Sequence, residues 1–312
     1  MLLKRFTDFI LKSRIQAIGM AFVFAFFPLV GSISILMSAF VTLRDNARDG
    51  FILLIAATLP LFLALYGAPA ETAADSITNT DIVCMMAICN VFTWFFAVIL
   101  RKYASWNWLI QLAAVICIVL VIAAHLIMPD IQGFWQGRLT NYFNNTVNLF
   151  NNASGNDPGQ KATIGRMVET LTSYATGLTL IFVTFYALLQ VMLARWWQAA
   201  LYNRGGLRSE LSNIRLSYAA GIVLIITQLL VLAGNKTALD VIPVLYLAFV
   251  IAGFSVLTVV IANTKKPWLW NGLLGVAAFL VPASMLLVAL VALLDVGLDL
   301  RKRFQKKTIN IN

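Results

Sequence analysis

Between Gln16 and Leu298 the chain writes one long apolar run after another, and no carboxylate falls near the middle of any of them. About 20 apolar residues cross the hydrocarbon of a bilayer as a helix, at about 1.5 Å per residue. A helix also closes its own backbone hydrogen bonds, which lipid demands. Of the 312 residues 61% are hydrophobic and only 12% are charged, against about a quarter charged in a soluble domain. One aqueous core cannot hide so much apolar surface. The expected fold class is an all-α integral membrane protein, a polytopic helical bundle. All 13 acids lie at run ends or in aqueous segments, which argues against transport driven by a membrane-embedded carboxylate.

The net charge is +10. The basic residues gather at run ends: Lys4, Arg5, Lys12 and Arg14; Arg44 and Arg48; Arg101 and Lys102; Arg195 to Arg215; Lys265 and Lys266; Arg301 to Lys307. Under the positive-inside rule these are cytoplasmic anchors. The lipid bilayer is then the implied partner, not nucleic acid. Residues 1–14 are expected to be a cytoplasmic N-terminus. The first run, Gln16–Leu43, is far longer than a signal-peptide core of about 7–15 residues and reads as retained.

That first run holds Pro28 and Gly31. It is either one kinked span or two helices meeting at Phe27–Gly31. Returning Arg44 and Arg48 to the cytoplasm favours two. Gly50–Tyr66, Ile82–Leu100, Asn107–Met128 and Ala175–Leu193 then complete a six-span block over 15–195. Its outer parts are the Gly67–Asp81 loop, with Glu71, Asp75 and Asp81, and a segment over 129–170. In that segment Ile131, Phe134, Trp135, Leu139, Tyr142, Phe143, Val147 and Phe150 recur at threes and fours, opposite Asn141, Asn144, Asn145 and Asn148. This predicts an amphipathic helix in the outer interface, with a second short helix over Ala162–Leu171. Asn144-Asn145-Thr146 and Asn152-Ala153-Ser154 match the glycosylation pattern.

A basic cytoplasmic loop follows over 196–216, then C-terminal helices over 217–299 and a basic tail over 300–312. The runs are Tyr218–Gly234, Ala238–Ile261 and Trp270–Leu298. Simple alternation exports the tail unless the last run folds back at Pro282, so the span count is nine or ten. Trp106, Trp108, Trp135, Trp196, Trp197, Trp268 and Trp270 sit near run ends, as interfacial tryptophans do.

Few residues carry chemistry. Within the spans Asn90, Thr93, Gln111, Gln190 and Gln228 are polar. They either join helices or line a cavity for an uncharged or zwitterionic small molecule. The sole histidine, His125, has no second ligand in register for a metal. It either bonds a neighbouring helix or touches a ligand. Asn90, Thr93 and His125 are the candidate ligand residues. Ala17, Ala21 and Ala25 form a small-residue face, for packing within the chain or against a partner subunit. Arg195, Trp196, Trp197, Arg208 and Arg215, with Gly205-Gly206 forcing a turn, form a surface for acidic lipid head groups or a cytoplasmic partner. Asp299 and Arg303 have a helical ion-pair spacing. Cys84, Cys89 and Cys117 form no C-x-x-C pair and no disulfide framework. No Walker, H-E-x-x-H or G-x-S-x-G motif occurs. No enzyme activity and no cofactor are expected.

The final run with central Pro282, closing in Asp295–Arg303, resembles the YybS-like family of multi-pass bacterial inner-membrane proteins. Arg195-Trp196-Trp197 with Gly205-Gly206 and Glu210 is similar to its proteobacterial branch, apart from Arg204 and Leu207, where Pro and Phe are expected. That family is distantly similar to the S components of energy-coupling-factor vitamin transporters. The resemblance implies an S-component-like six-helix block and an outer-facing pocket. It also implies a small-residue face on the first helix that meets a coupling subunit. The expected function is a non-enzymatic small-molecule-binding or transport-related component of the bacterial inner membrane, with its N-terminus cytoplasmic. The alternative is a membrane scaffold for envelope assembly or division.

Overall fold

A computed structural model of the chain describes residues 2–27, 30–66, 78–151, 158–203, 205–262, 268, 270, 272, 274–276 and 282–301. Pro28, Glu71, Asp75, the Asn152-Ala153-Ser154 sequon, Arg204, Lys265, Lys266, Arg303 and the tail beyond Arg301 lie outside the described residues. The helices are α1 Leu2–Lys12, α2 Arg14–Ala25, α3 Gly31–Arg44, α4 Ala47–Tyr66, α5 Asn79–Tyr103, α6 Trp106–Ile127, α7 Ile131–Asn151, α8 Pro158–Thr172, α9 Ala175–Tyr202, α10 Gly206–Ser212, α11 Tyr218–Leu232, α12 Lys236–Ala262 and α13 Pro282–Leu298.

Five of these are long and apolar enough to cross a membrane: Ala47–Leu65, Asn79–Tyr103, Trp106–Ile127, Ala175–Tyr202 and Lys236–Ala262. Four further apolar helices are shorter: Arg14–Ala25, Gly31–Arg44, Tyr218–Leu232 and Ala283–Leu298. The break in the first run falls where the sequence placed it, between Ala25 and Gly31. Yet 12 and 14 residues make only about 18 and 21 Å of helix, short of a hydrocarbon core about 30 Å thick.

The long helices keep large side chains on their outer faces. Phe51, Ile55, Leu59 and Phe62 of α4 are each 41–50% exposed, and Val115, Val119 and Ile122 of α6 are 44–57% exposed. Water would penalise such stripes, whereas lipid does not. Caps mark the polar ends. Thr78 Oγ1 accepts from the Asp81 amide and Asp81 accepts from the Thr78 amide, a capping box that starts α5. Asn235 Oδ1 accepts from the Ala238 amide near the start of α12.

The chain divides into two compact units, Met1–Ala104 with Ala123–Arg204, and Ser105–Ile122 with Gly205–Asn312. The sequence had grouped residues 105–122 with the first block. In the first unit α3 packs on α4, α5 and α9, and α2 packs on α3 and α4. The α3–α4 contact is close at Gly50. A Cβ there would lie 1.7 Å from Thr42 Oγ1, and Ser38 Oγ donates to the Gly50 carbonyl at 2.7 Å. Leu2–Lys12 of the N-terminal segment is helical. Thr7 and Ile10 of α1 are buried, and α1 packs on α2.

In the second unit α12 packs on α11 and α13. A Cβ on Gly253 would lie 2.1 Å from the Val288 carbonyl oxygen, so only glycine admits this crossing. α13 is described from Pro282 to Leu298. The region expected as a basic cytoplasmic loop is helical on both sides of Gly205. α9 continues through Arg195, Trp196 and Trp197 to Tyr202, since no proline interrupts it. The break comes at Gly205, whose φ of 92° requires glycine.

Candidate functional site

Two polar constellations stand out, one in each unit. In the first unit a cleft of about 270 Å³ opens beside α1–α4. Its walls are Ile10, Ala17, Ile18, Val41, Ile52 and Leu53, and its rim is Arg14, Asp45, Asn46 and Asp49. A more open cleft of about 570 Å³ shares Arg14, Asn46 and Asp49 and adds Ala47, Arg48 and Arg101.

Local sequence builds this rim. Asn46 caps α4: its Oδ1 accepts from the Asp49 amide at 2.8 Å, and its Nδ2 donates to Asp49 Oδ2 at 2.7 Å. Asp49 also meets Arg14 Nη2 at 3.1 Å, with side-chain exposures of 17% and 78%. Asp45 is 3.7 Å from Arg44 Nε. Arg101 Nη1 donates to the Thr42 carbonyl at 3.1 Å, holding the end of α5 against α3. Trp94 Nε1 donates to the Ala47 carbonyl, fixing the start of α4. An apolar slot thus ends in both charge signs.

The second unit holds a partly buried ion-pair cluster. Arg301 Nε lies 3.1 Å from Asp295 Oδ2, with side chains 11% and 3% exposed. Arg301 Nη1 donates to the Ser212 carbonyl at 2.6 Å, and Nη2 donates to the Ile214 carbonyl. Arg215 Nη1 meets Asp299 at 2.6 Å. Asp299 has a φ of 54°, the left-handed conformation that Asp tolerates, and this turns the chain back toward Asp295. Burial lowers the pKa of the Arg301 guanidinium, while Asp295 raises it. Segment 210–217 is tied at further points. Trp106 Nε1 donates to Glu210, Ser255 Oγ to the Leu211 carbonyl, the Arg215 amide to Asn107, and the Ser217 amide to Gln111.

The expected site residues fall as follows. Asn90 is 6% exposed and donates to Thr58 at 3.2 Å; Thr93 is fully buried and donates to the Cys89 carbonyl. Neither lines the two clefts. His125 is half-buried in the last turn of α6. Ala17, Ala21 and Ala25 are buried on the α2 side that meets its own unit. That face is occupied within the chain, and Ala17 lines the cleft. Gln111 and Gln228 bond neighbouring segments, while Gln190 Oε1 has no partner among the described residues.

The tryptophans separate. Trp196 is 54% exposed, as an interfacial anchor would be. Trp197 is 3% exposed, stacks on Phe6 and Phe40, and donates to Thr7. It is a core residue, because consecutive helix positions point about 100° apart. Trp106 and Trp135 likewise donate within the protein, to Glu210 and Thr176. Arg195 Nη1 donates to Gln198, and Arg208 is exposed on α10. Arg215 belongs to the ion-pair cluster rather than to a lipid-facing row. Asp299 pairs with Arg215; the expected partner Arg303 is not among the described residues. Sequence reasoning missed the Arg14–Asp49 pair. The Asn46-x-x-Asp49 capping pattern was the available signal.

The fold and its apolar surfaces define a class: an all-helical protein of multi-pass membrane character. No family model, curated protein or solved structure matches the chain.

Proposed function

We propose that the protein is a non-enzymatic component of a bacterial cytoplasmic membrane that binds a small molecule in its first unit. The observation that carries this is the apolar slot of α1–α4 ending at the Arg14–Asp49 pair. Concave, mostly apolar sites with a few convergent polar groups are what ligands occupy. The site differs from the one expected around Asn90, Thr93 and His125; Asn90 Nδ2 donates to Thr58 and Thr93 Oγ1 donates to the Cys89 carbonyl.

The proposed topology has nine or ten spans and a cytoplasmic N-terminus, so the clefts at Arg48 and Arg101 open to the cytoplasm. No Walker motif occurs in the sequence, and energy coupling would come from a partner. Kinship with the YybS-like family and an S-component-like arrangement belong to this reading. The grouping of residues 105–122 with the C-terminal helices is what a six-helix block has to accommodate. Extraction in mild detergent tests the proposal: a bound metabolite or coupling subunit is expected. A ligand-free chain with no crosslinked partner would sink it.

A scaffold role has one observation in its favour. Segment 210–217 is pinned by Trp106, Asn107, Gln111, Ser255 and Arg301, and so presents Arg208 from a fixed platform. That reading expects Arg208→Glu to abolish recruitment of a cytoplasmic protein while cleft variants leave it intact.

A further inference from the structure

We infer that the paired clefts at the α4 start bind a phosphate-bearing amphiphile, its phosphate among Arg14, Arg48 and Arg101 and its apolar tail in the α1–α4 slot. The inference rests on the small-molecule-binding reading and names the ligand class.

The first argument is charge. The open cleft is lined by three guanidinium groups against one carboxylate, Asp49. Asp49 is already engaged by the Asn46 amide at 2.7 Å and by Arg14. Arg14 is 78% exposed, so its pairing is a water-screened contact that a dianion can outcompete. Arg48 is exposed, and Arg101 is fixed by one bond to the Thr42 carbonyl. Guanidinium forks suit phosphate oxygens, with two parallel bonds each. The opening turn of α4 adds the positive end of a 20-residue helix.

The second argument is continuity. The apolar slot shares Arg14, Asn46 and Asp49 with the charged cleft, so a head group and a tail attached to it reach both. At about 270 Å³ the slot sits near the lower bound of ligand pockets, about 300 Å³. It holds a short or partly inserted chain, not a whole lipid. The second acid of the slot, Asp45, faces Arg44 outside it, so Arg14 and Asp49 balance at the shared rim and the cationic excess comes from Arg48 and Arg101 in the open cleft.

The phosphate could be that of a lipid or of a soluble metabolite. Native mass spectrometry of the full chain distinguishes them, with dioctanoyl phosphatidic acid, glycerol 3-phosphate and dodecyltrimethylammonium as probes. Saturable binding of phosphatidic acid, weakened about tenfold by Arg14→Gln or Arg48→Gln and unchanged by Arg208→Gln, is the expected result. Equal binding of glycerol 3-phosphate would assign the phosphate to a soluble ligand and overturn the tail assignment. Tighter binding of the cationic probe, lost in Asp49→Asn, would overturn the phosphate inference and leave the binding reading standing. Binding of none of the three, from a chain that nonetheless copurifies with another metabolite, would also overturn it. A chain that binds nothing takes both readings down.

Discussion

The Arg301 guanidinium and the Asp295 carboxylate face each other inside the second unit, 3.1 Å apart, with side chains 11% and 3% exposed. The pair joins the end of α13 to the Ser212 and Ile214 carbonyls, so one arginine ties two segments together. Removing one partner leaves the other buried and uncompensated. Arg301→Ala is expected to cost about 3–5 kcal/mol, seen as a large fall in melting temperature in detergent. Arg301→Lys keeps the charge but loses the fork, and is expected to fall between the two.

Gly253 and Gly137 make a matched comparison. Alanine at 253 would drive its Cβ to 2.1 Å from the Val288 carbonyl oxygen, which is backbone and cannot swing away. Gly253→Ala is expected to destabilise by about 1–3 kcal/mol or more. Gly137 of α7 has open space around it, and Gly137→Ala is expected to stabilise by about 0.5–1 kcal/mol. Thermal melts of both in one detergent check the pair. Equal shifts would refute the close α12–α13 crossing.

Trp196 and Trp197 are neighbours in sequence with opposite roles. Trp197→Ala removes a ring stacked on Phe6 and Phe40 and a bond to Thr7, and is expected to cost about 3–5 kcal/mol. Trp196→Ala is expected to stay within about 0.5 kcal/mol in detergent, as surface changes do. The same melts decide it.

Much of the fold was legible in the sequence because lipid imposes a length and an apolarity on every crossing helix. The long helices α5, α6 and α12 begin and end within a few residues of their apolar runs. The break after Ala25 and the existence of helix α7 were legible too, the first from Pro28 and Gly31, the second from steps of three and four. The site was not. Arg14 and Asp49 lie 35 positions apart, and nothing local says that α2 returns to the start of α4. Composition placed Arg215 and Trp197 at the surface because charge and tryptophan usually sit at run ends. Tertiary contacts with Asp299 and with Phe6, Phe40 and Thr7 instead drew both inward.

The proposed topology makes a labelling prediction. In a Cys84→Ser background, which removes the one exposed native thiol among the described residues, single cysteines replace Arg48, Arg208 and Asn144. A membrane-impermeant maleimide on intact spheroplasts is expected to label Asn144→Cys alone, with Arg48→Cys and Arg208→Cys labelled only after permeabilisation. Labelling of Arg48→Cys from outside would reverse the orientation.

The central claim is that the α1–α4 slot holds a ligand, and filling the slot tests it most directly. Ile18→Trp adds a ring where the slot lies, on a side chain that lines it. Native mass spectrometry of wild-type protein extracted from its own membranes is expected to show a bound small molecule. The Ile18→Trp protein is expected to lack it while melting at a similar temperature. A small molecule retained in full by a well-folded Ile18→Trp protein would contradict the account.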